Sequence, residues 1–403
     1  MSYDLLEGIK VIELSLYAFA PSAAAVLSDW GADVIKVVPP ATADPMMGTP
    51  IAGLPQREVG IAFMWELLNR GKRCVGIDVS NPDGRAVFVD LLRDADVFIT
   101  NLLPGARSRF GVDVEDVQAV NPSVVYARAS AHGNEGPERA TGGYDHTDFW
   151  ARTGIGHAAS QVADEFVPQP GPAMGDLTSG AAMAGAIAAA LLRRERTGRG
   201  AVVDVSLLST AMWVGAPAIL ASALYEVDTI PRLRHNDLWN PLVAAYATRD
   251  NRLIYLAGVL TEGHFENFCE TISRPDLLTD EQYATGGARI ENRRALIGLL
   301  DAVFAARDLS EWLEVLPRLT SPWTIVRTAA EAAVDQQVTA NGYVCEVAGA
   351  VRHPNVASPA QFDDIKPSLA PAPGHGEHTD QVLLSLGRTW DDIIELKAAN
   401  AVL

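Results

Sequence analysis

Gly8-Ile-Lys-Val-Ile-Glu-Leu, then Pro21-Ser-Ala-Ala-Ala-Val-Leu-Ser-Asp-Trp, then Gly31-Ala-Asp, then Val34-Ile-Lys-Val-Val: this opening stretch decides the fold. The first segment is a β-branched run behind a glycine. The second carries Ala, Leu and Val at helical spacing, and Gly31-Ala-Asp stops it. The last is a second short strand. Strand, helix and strand with short joints predict a parallel pair and a right-handed crossover. The pattern recurs outward. Cys74-Val-Gly-Ile-Asp reads as a strand, residues 82–93 as a helix, Asp96-Val-Phe-Ile-Thr as a strand, residues 114–120 as a short helix and Ser123-Val-Val-Tyr-Ala as a strand. The expectation is an α/β protein built on an open, mostly parallel sheet. No G-x-G-x-x-G follows the first strand, and no G-x-x-x-x-G-K-[ST] occurs. A dinucleotide or P-loop site is therefore not expected.

Residues 176–200 read as the clearest helix, with Asp176 at its start, an Ala-rich body, Arg193, Arg194 and Arg196 near its end and Gly198 as the stop. Ala201-Val-Val-Asp-Val-Ser follows as a strand. Residues 246–257 look like a hairpin turning at Arg249-Asp-Asn-Arg, and 261–318 like a polar helical region broken at Ser273-Arg-Pro and Gly286-Gly. A small α+β domain is placed at 226–330, inserted in a large Rossmann-like domain formed by 1–225 and 331–403.

The 403 residues are 48% hydrophobic and 20% charged, which excludes a disordered or collagen-like chain. Lys plus Arg number 32 against 50 Asp plus Glu, a net charge of −18. Nucleic acid and anionic membrane would be repelled, so neither is expected as a partner. Cys74, Cys269 and Cys345 lie far apart, which argues against a thiol zinc site and a disulfide framework. The N-terminal residues lack the basic and apolar regions of a signal peptide. The greasiest stretch, residues 181–192, is far short of the roughly 20 residues that cross a bilayer. A soluble cytoplasmic protein is expected.

Five segments, in order, resemble the family III CoA-transferases. They are Leu6-Glu-Gly-Ile-Lys-Val-Ile-Glu-Leu-Ser with Gly31-Ala-Asp-Val-Ile-Lys-Val; Asn69-Arg-Gly-Lys-Arg running into Ile77-Asp-Val-Ser-Asn-Pro-Asp-Gly; Ala95-Asp-Val-Phe-Ile-Thr-Asn-Leu-Leu-Pro-Gly-Ala; Gly175-Asp-Leu-Thr-Ser-Gly with Thr197-Gly-Arg-Gly-Ala-Val-Val-Asp-Val-Ser; and Gly376-Glu-His-Thr-Asp-Gln-Val-Leu. The resemblance implies a large Rossmann-like domain made from both chain ends, a small domain between, and an interlocked, ring-like homodimer. It implies transfer of CoA from an acyl-CoA thioester to a small carboxylic acid, with no metal and no tightly bound cofactor.

By the same resemblance Asp176 is the covalent nucleophile, and carboxylates suit that role because their acyl derivatives are activated and reversible. Asp at a helix start is also what a plain N-cap looks like, and the two roles are compatible. Gly175 is read as leaving room for the thioester. Tyr144 and Asp145 are carried over as active-site residues. Family racemases place a His directly after the glycine of this motif, where this chain has Tyr144 after Gly143. His146 keeps an α-methylacyl-CoA racemase open as an alternative, its plainer role being a loop histidine paired with a carboxylate such as Asp148. A non-catalytic CoA-thioester-binding paralogue is a third possibility. Asn101, at the end of a predicted strand, is expected to lie along CoA. Arg70, Lys72 and Arg73, with Arg107 as a further candidate, are expected to hold its phosphates.

There are departures from the family pattern. Ala18 stands where some members carry an oxyanion-site glutamine, so backbone N–H groups must do more. Lys36-Val37-Val38 replaces the usual Lys-x-Glu. The glycine-rich flap of formyl-CoA transferase has no counterpart in Ala257-Gly-Val-Leu-Thr-Glu-Gly. Tyr17, Phe19, Trp150 and Trp239 are candidates to line an acid pocket. His375-Gly-Glu-His378 lacks zinc-ligand spacing and is read as structural.

Overall fold

A computed structural model describes residues 3–48, 50, 60–163, 165–258, 261–349 and 351–403. Met1 and Ser2 of the N-terminal reading, and Val259-Leu260 of the flap comparison, lie outside the described residues. The chain forms two compact units, Met1–Ser160, Glu165–Thr229 and Gln336–Leu403 in one, Gln161–Asp164 and Ile230–Asp335 in the other.

The first unit runs β1 (Lys10–Leu14), α1 (Phe19–Asp29), β2 (Asp33–Val38), α2 (Phe63–Asn69), β3 (Arg73–Gly76), α3 (Pro82–Arg93), β4 (Val97–Thr100), α4 (Pro104–Phe110), α5 (Val114–Val120) and β5 (Val125–Ser130). A π-helical turn at Asp145–Ala151 follows, then α6 (Ile155–Ser160), α7 (Met174–Thr197), β6 (Ala201–Ser206), α8 (Leu207–Val214) and α9 (Ala216–Tyr225). The six strands pair in the order β3-β2-β1-β4-β5-β6, every pair parallel.

Alternation along the strands sorts the core into two layers. Val11, Val34, Val97, Ile99, Val125 and Ala127 face α1 and α7, whose Ala23, Ala24, Leu27, Met183, Ala184 and Ile187 complete that layer. Ile12, Ile35, Val75, Phe98 and Tyr126 face the other way, against Val87, Phe88 and Leu91 of α3 and Val117 of α5. Local chemistry sets the helix ends. Asn81 caps α3 by accepting from the Asp83 N–H, with Pro82 at the first helical position. Asp113 and Asp116 form a capping box on α5.

α1 and α7 come close because Gly180 has no side chain: a Cβ there would sit 1.9 Å from Ser22 Oγ and 3.0 Å from the Ala23 nitrogen. The C-terminal segment joins this unit through helices Thr379–Ser385 and Trp390–Ala398, whose Val382, Leu383 and Ile393 enter the second layer. Val402 bridges to Ile77 beyond β3. The other unit has a three-stranded antiparallel sheet, β7 (Ala244–Ala247), β8 (Leu253–Leu256) and β9 (Trp323–Ile325), packed on helices through Tyr246, Phe265, Phe268, Phe304 and Trp312.

Two sequence readings are corrected. The helix read as 176–200 starts at Met174, so Asp176 is a first-turn residue and not the N-cap; Ala173 occupies that place with φ +62°. The apolar stretch read as far short of a bilayer belongs to this 24-residue helix, which among the described residues is long and apolar enough by length and composition to cross a membrane. Its Met183, Ala184, Ile187, Ala190 and Leu191 are buried against the sheet and α1.

Phe98 is fully buried, edge-on to both Phe88 and Tyr126. Phe98→Ala removes those contacts and leaves a void, and is expected to cost about 3–5 kcal/mol. Urea unfolding followed by circular dichroism should show the transition shifted to lower denaturant; an unchanged midpoint would contradict this packing.

Candidate active site

The strand order reverses direction between β1 and β4, and a doubly wound sheet opens a crevice at such a point. A cleft of about 420 Å³ lies there, lined by residues after β1 (Tyr17, Ala18, Phe19), after β4 (Asn101, Arg107) and after β5 (Ala131, Tyr144), with Asp176 of α7. Asn101 joins the two sides of the switch point. Its Nδ2 donates to the Leu16 carbonyl at 2.6 Å, and its Oδ1 accepts from the Leu16 N–H at 3.1 Å.

Asp176 is partly buried, and among the described residues its carboxylate accepts no hydrogen bond. Burial first, and the neighbouring Asp145 second, push its pKa up to about 7. Asp145 is 4% exposed and heads the π-helical turn. Its Oδ2 accepts from Gln169 Nε2 at 2.7 Å, and its Oδ1 lies 2.8 Å from His146 Nδ1.

Two glycines make this arrangement possible. A Cβ on Gly143 would sit 1.9 Å from Asp148 Oδ2. One on Gly175 would sit 2.5 Å from the Phe149 ring and 3.0 Å from Asp145 Cβ. The room read at Gly175 as space for a thioester is thus filled by Phe149 and Asp145, and the glycine lets the two carboxylates approach.

α1 begins at the cleft. Ala18 holds the N-cap position and offers no side-chain cap, and among the described residues no acceptor meets the Phe19 and Ala20 N–H groups of this helix start. Pro21, in the same turn, has no N–H to leave unsatisfied. Tyr17 has φ +66°, uncommon for a residue with a Cβ. Its ring meets Tyr144 edge-on at 5.8 Å. Hydrogen bonding with Tyr144 raises the Tyr17 hydroxyl pKa.

The cations divide. Arg70 and Lys72 are corrected as phosphate ligands, because their charges are committed inside the protein. Arg70 is 4% exposed and forks onto Asp29, with Nε at 2.9 Å and Nη2 at 2.7 Å. Lys72 is 3% exposed and uses all three donors, on Glu13 Oε2 at 2.6 Å, the Pro21 carbonyl at 2.9 Å and Asn69 Oδ1 at 3.0 Å. Arg73 pairs with Asp33 at 2.5 Å and does not line the cleft. Arg107 does line it, braced by Asp113 and the Leu102 carbonyl, each at 2.9 Å. Arg139, not singled out from the sequence, also lines it, is exposed, and has no ion pair among the described residues.

Compared with known proteins, the chain matches CoA-transferase family III over residues 6–379. It belongs to that family. It is 29% identical to the (R)-2-hydroxy-4-methylpentanoate CoA-transferase of Clostridioides difficile, covering 99% of each chain. It is 30% identical to the succinyl-CoA:glutarate CoA-transferase of Mus musculus, over 99% of this chain and 90% of that one. Among solved structures, a CAIB/BAIF family protein from Brucella suis superposes with a TM-score of 0.80 at 27% identity, covering 96% of this chain and 100% of that one.

As a family III CoA-transferase the chain takes CoA thioesters as substrates and needs no tightly bound cofactor; among the described residues no group of acidic, His or Cys side chains could hold a metal. The cleft collects Asp176, Tyr144, Asn101 and Arg107, with Asp145 behind them. His146 pairs with Asp145 and not with Asp148, whose partner is His132 at 3.0 Å. Of the aromatics read as pocket residues, Tyr17 and Phe19 line the cleft. Trp150 is buried and donates to the Val167 carbonyl, and Trp239 belongs to the other unit, beneath Arg293. Gln169 escaped the sequence reading because Gln169-Pro-Gly-Pro reads as plain loop. His375 bonds the Pro40 carbonyl and His378 the Cys74 N–H, so both are structural.

The raised pKa has a sign. An unfolded Asp loses its proton near pH 4, whereas the folded Asp176 keeps it to about 7. The native state therefore gives up relative stability as pH rises across that interval. Asp176→Asn is expected to melt higher than wild type at pH 8, with the gap closing at pH 5. Equal melting differences at both pH values would show that Asp176 is not held protonated by its surroundings.

Proposed function

We propose that this chain moves CoA from an acyl-CoA thioester to a carboxylic acid through covalent intermediates on Asp176. The observation that carries the reading is a partly buried carboxylate that accepts no hydrogen bond among the described residues, standing in the cleft at the strand switch point. An anion stripped of its solvent shell is a stronger nucleophile than one in water.

One Asp176 oxygen attacks the thioester carbonyl carbon. The carbon–sulfur bond breaks, and CoA leaves as thiolate from a mixed anhydride. The thiolate attacks the aspartyl carbonyl, forming an aspartyl-CoA thioester and releasing the donor acid as carboxylate. The acceptor carboxylate attacks that thioester, freeing the thiolate again and making a second anhydride. The thiolate then attacks the acceptor's carbonyl, and Asp176 returns as carboxylate. No proton is consumed.

Each tetrahedral step puts negative charge on an oxygen. On this reading the positive end of α1, with the Phe19 N–H at the cleft wall, receives it, in the absence of a glutamine at Ala18. Tyr144 covers the cleft, Asp145 sets the charge environment of Asp176, and Asn101 and Arg107 flank the path of CoA.

The same reading places the protein in the cytoplasm, where free thiols such as Cys74 and Cys269 persist. It also makes the protein an interlocked homodimer. Trp213, Leu224 and Tyr225 on α8 and α9 are 81%, 78% and 77% exposed, apolar surface of the kind a partner covers. Sedimentation equilibrium is expected to return twice the 43.1 kDa chain mass; a monomer would refute the dimer.

The mechanism is tested by intact-protein mass spectrometry after mixing with a panel of acyl-CoAs and trapping with hydroxylamine or borohydride. A modification at Asp176, absent in Asp176→Ala, is expected, forming faster as pH rises through about 7. Turnover without any adduct, or deuterium entering the α-carbon of recovered acyl-CoA without an acceptor acid, would overturn it.

A further inference from the structure

Glu13, Lys36, Lys72 and Asp44 form a buried ion cluster, and none of the four lines the cleft. Lys36 Nζ lies 2.8 Å from Glu13 Oε1 and 3.4 Å from Asp44 Oδ2, and Lys72 Nζ 2.6 Å from Glu13 Oε2. Burial opposes the charge on Glu13, yet Lys36 and Lys72 hold its carboxyl down at about 2, while burial lowers Lys72 to about 8 against the pull of Glu13. Such clusters are a poor source of stability, since apolar residues of similar volume often serve as well. The remaining hydrogen bonds suggest another purpose.

Lys36 donates to the Ser15 carbonyl at 3.0 Å, and Lys72 to the Pro21 carbonyl at 2.9 Å. These carbonyls flank the β1–α1 joint, Ser15 directly after β1 and Pro21 in the first turn of α1. Between them lie Tyr17 with its positive φ and the Phe19 and Ala20 N–H groups, which find no acceptor among the described residues. Ser15 Oγ adds a bond to Glu13 at 2.7 Å, and Ser22 Oγ reaches the Asp176 carbonyl at 3.3 Å. A strained turn persists only where its surroundings over-determine it.

We propose that Glu13, Lys36 and Lys72 are positioning residues: a buried clamp gripping both ends of the β1–α1 turn and so fixing its N–H donors relative to Asp176. The proposal rests on the functional reading above for its chemical consequence, but not for its geometry. The test separates the two.

Two charge-balanced double variants each release one end. Glu13→Gln with Lys72→Met frees Pro21, and Lys36→Met with Asp44→Asn frees Ser15. Hydrogen–deuterium exchange reads the grip directly, because the turn has two bonded amides: Leu16, on Asn101 Oδ1 at 3.1 Å, and Ser22, on the Ala18 carbonyl at 2.9 Å. The first variant is expected to speed exchange at Ser22 and the second at Leu16, each about tenfold or more, with β4 and α7 unchanged. The rate of Asp176 labelling by succinyl-CoA, trapped with hydroxylamine, is expected to fall about 10- to 100-fold, in keeping with an ångström-scale misplacement. The melting shift given by free CoA should stay as in wild type.

Wild-type exchange at both amides in both variants would overturn the clamp. So would a uniform rise across the whole sheet, or labelling that falls only in step with melting temperature. If one double variant does not fold, the other decides. A wild-type protein that binds CoA but is never labelled would speak against Asp176 as nucleophile, while the exchange result would still judge the clamp.

Discussion

Two carboxylates held close in a partly dehydrated cleft are the constraint around which the first unit is arranged. Asp145 and Asp176 would separate in water. They are kept together by backbone geometry: the bare Cα of Gly175 lets α7 settle on Phe149 and the Cβ of Asp145, and Gly143 admits the Asp148 carboxylate beside the π-helical turn. Each contact depends on a missing methyl group. Burial first, and the repulsion from Asp145 second, bring the Asp176 pKa up to about 7, so that its charge responds to small changes in its surroundings in the neutral range.

The sheet supplies the rest. Its reversal between β1 and β4 leaves a crevice that no helix fills, and Asn101 ties the two flanks at Leu16. Positive charge is distributed with some economy in an acidic protein. Arg70 and Lys72 are spent on internal carboxylates, so among the described residues the arginines that line the cleft are Arg107, braced by Asp113, and the exposed Arg139.

Much of this was legible in the sequence. Helix α3 and helix α5 coincide with residues 82–93 and 114–120 because their caps are written in single residues, Asn81 with Pro82 and Asp113 with Asp116. The strands were visible as β-branched runs, although their ends shifted by up to three residues, as in β5. The family motifs led to Asp176, Tyr144 and Asn101, all of which reach the cleft. What failed was any inference requiring burial. Arg70-Gly-Lys-Arg looks like a free cationic loop; only the fold reveals that Asp29 and Glu13, some 41 and 59 positions away, claim two of its charges. The π-helical turn has no periodic signature, and Gln169 acquires meaning only through a contact made 24 positions away.

The return of the chain to its first unit also shapes how the protein is made. β3 is finished by residues synthesised much later: Thr379 Oγ1 accepts from the Gly76 N–H, Val402 bridges to Ile77, and the Ala401 carbonyl accepts from the Asp78 N–H. Val382, Leu383 and Ile393 cover Val75, Ile77, Phe88 and Leu91. On the ribosome, that apolar surface stays open for more than 300 residues of elongation after β3 has emerged. At about 5–20 residues per second this is a wait of at least 15 seconds. Nascent chains arrested before residue 379 should be good clients for holdase chaperones, and residues 379–402 act as the latch that ends that dependence.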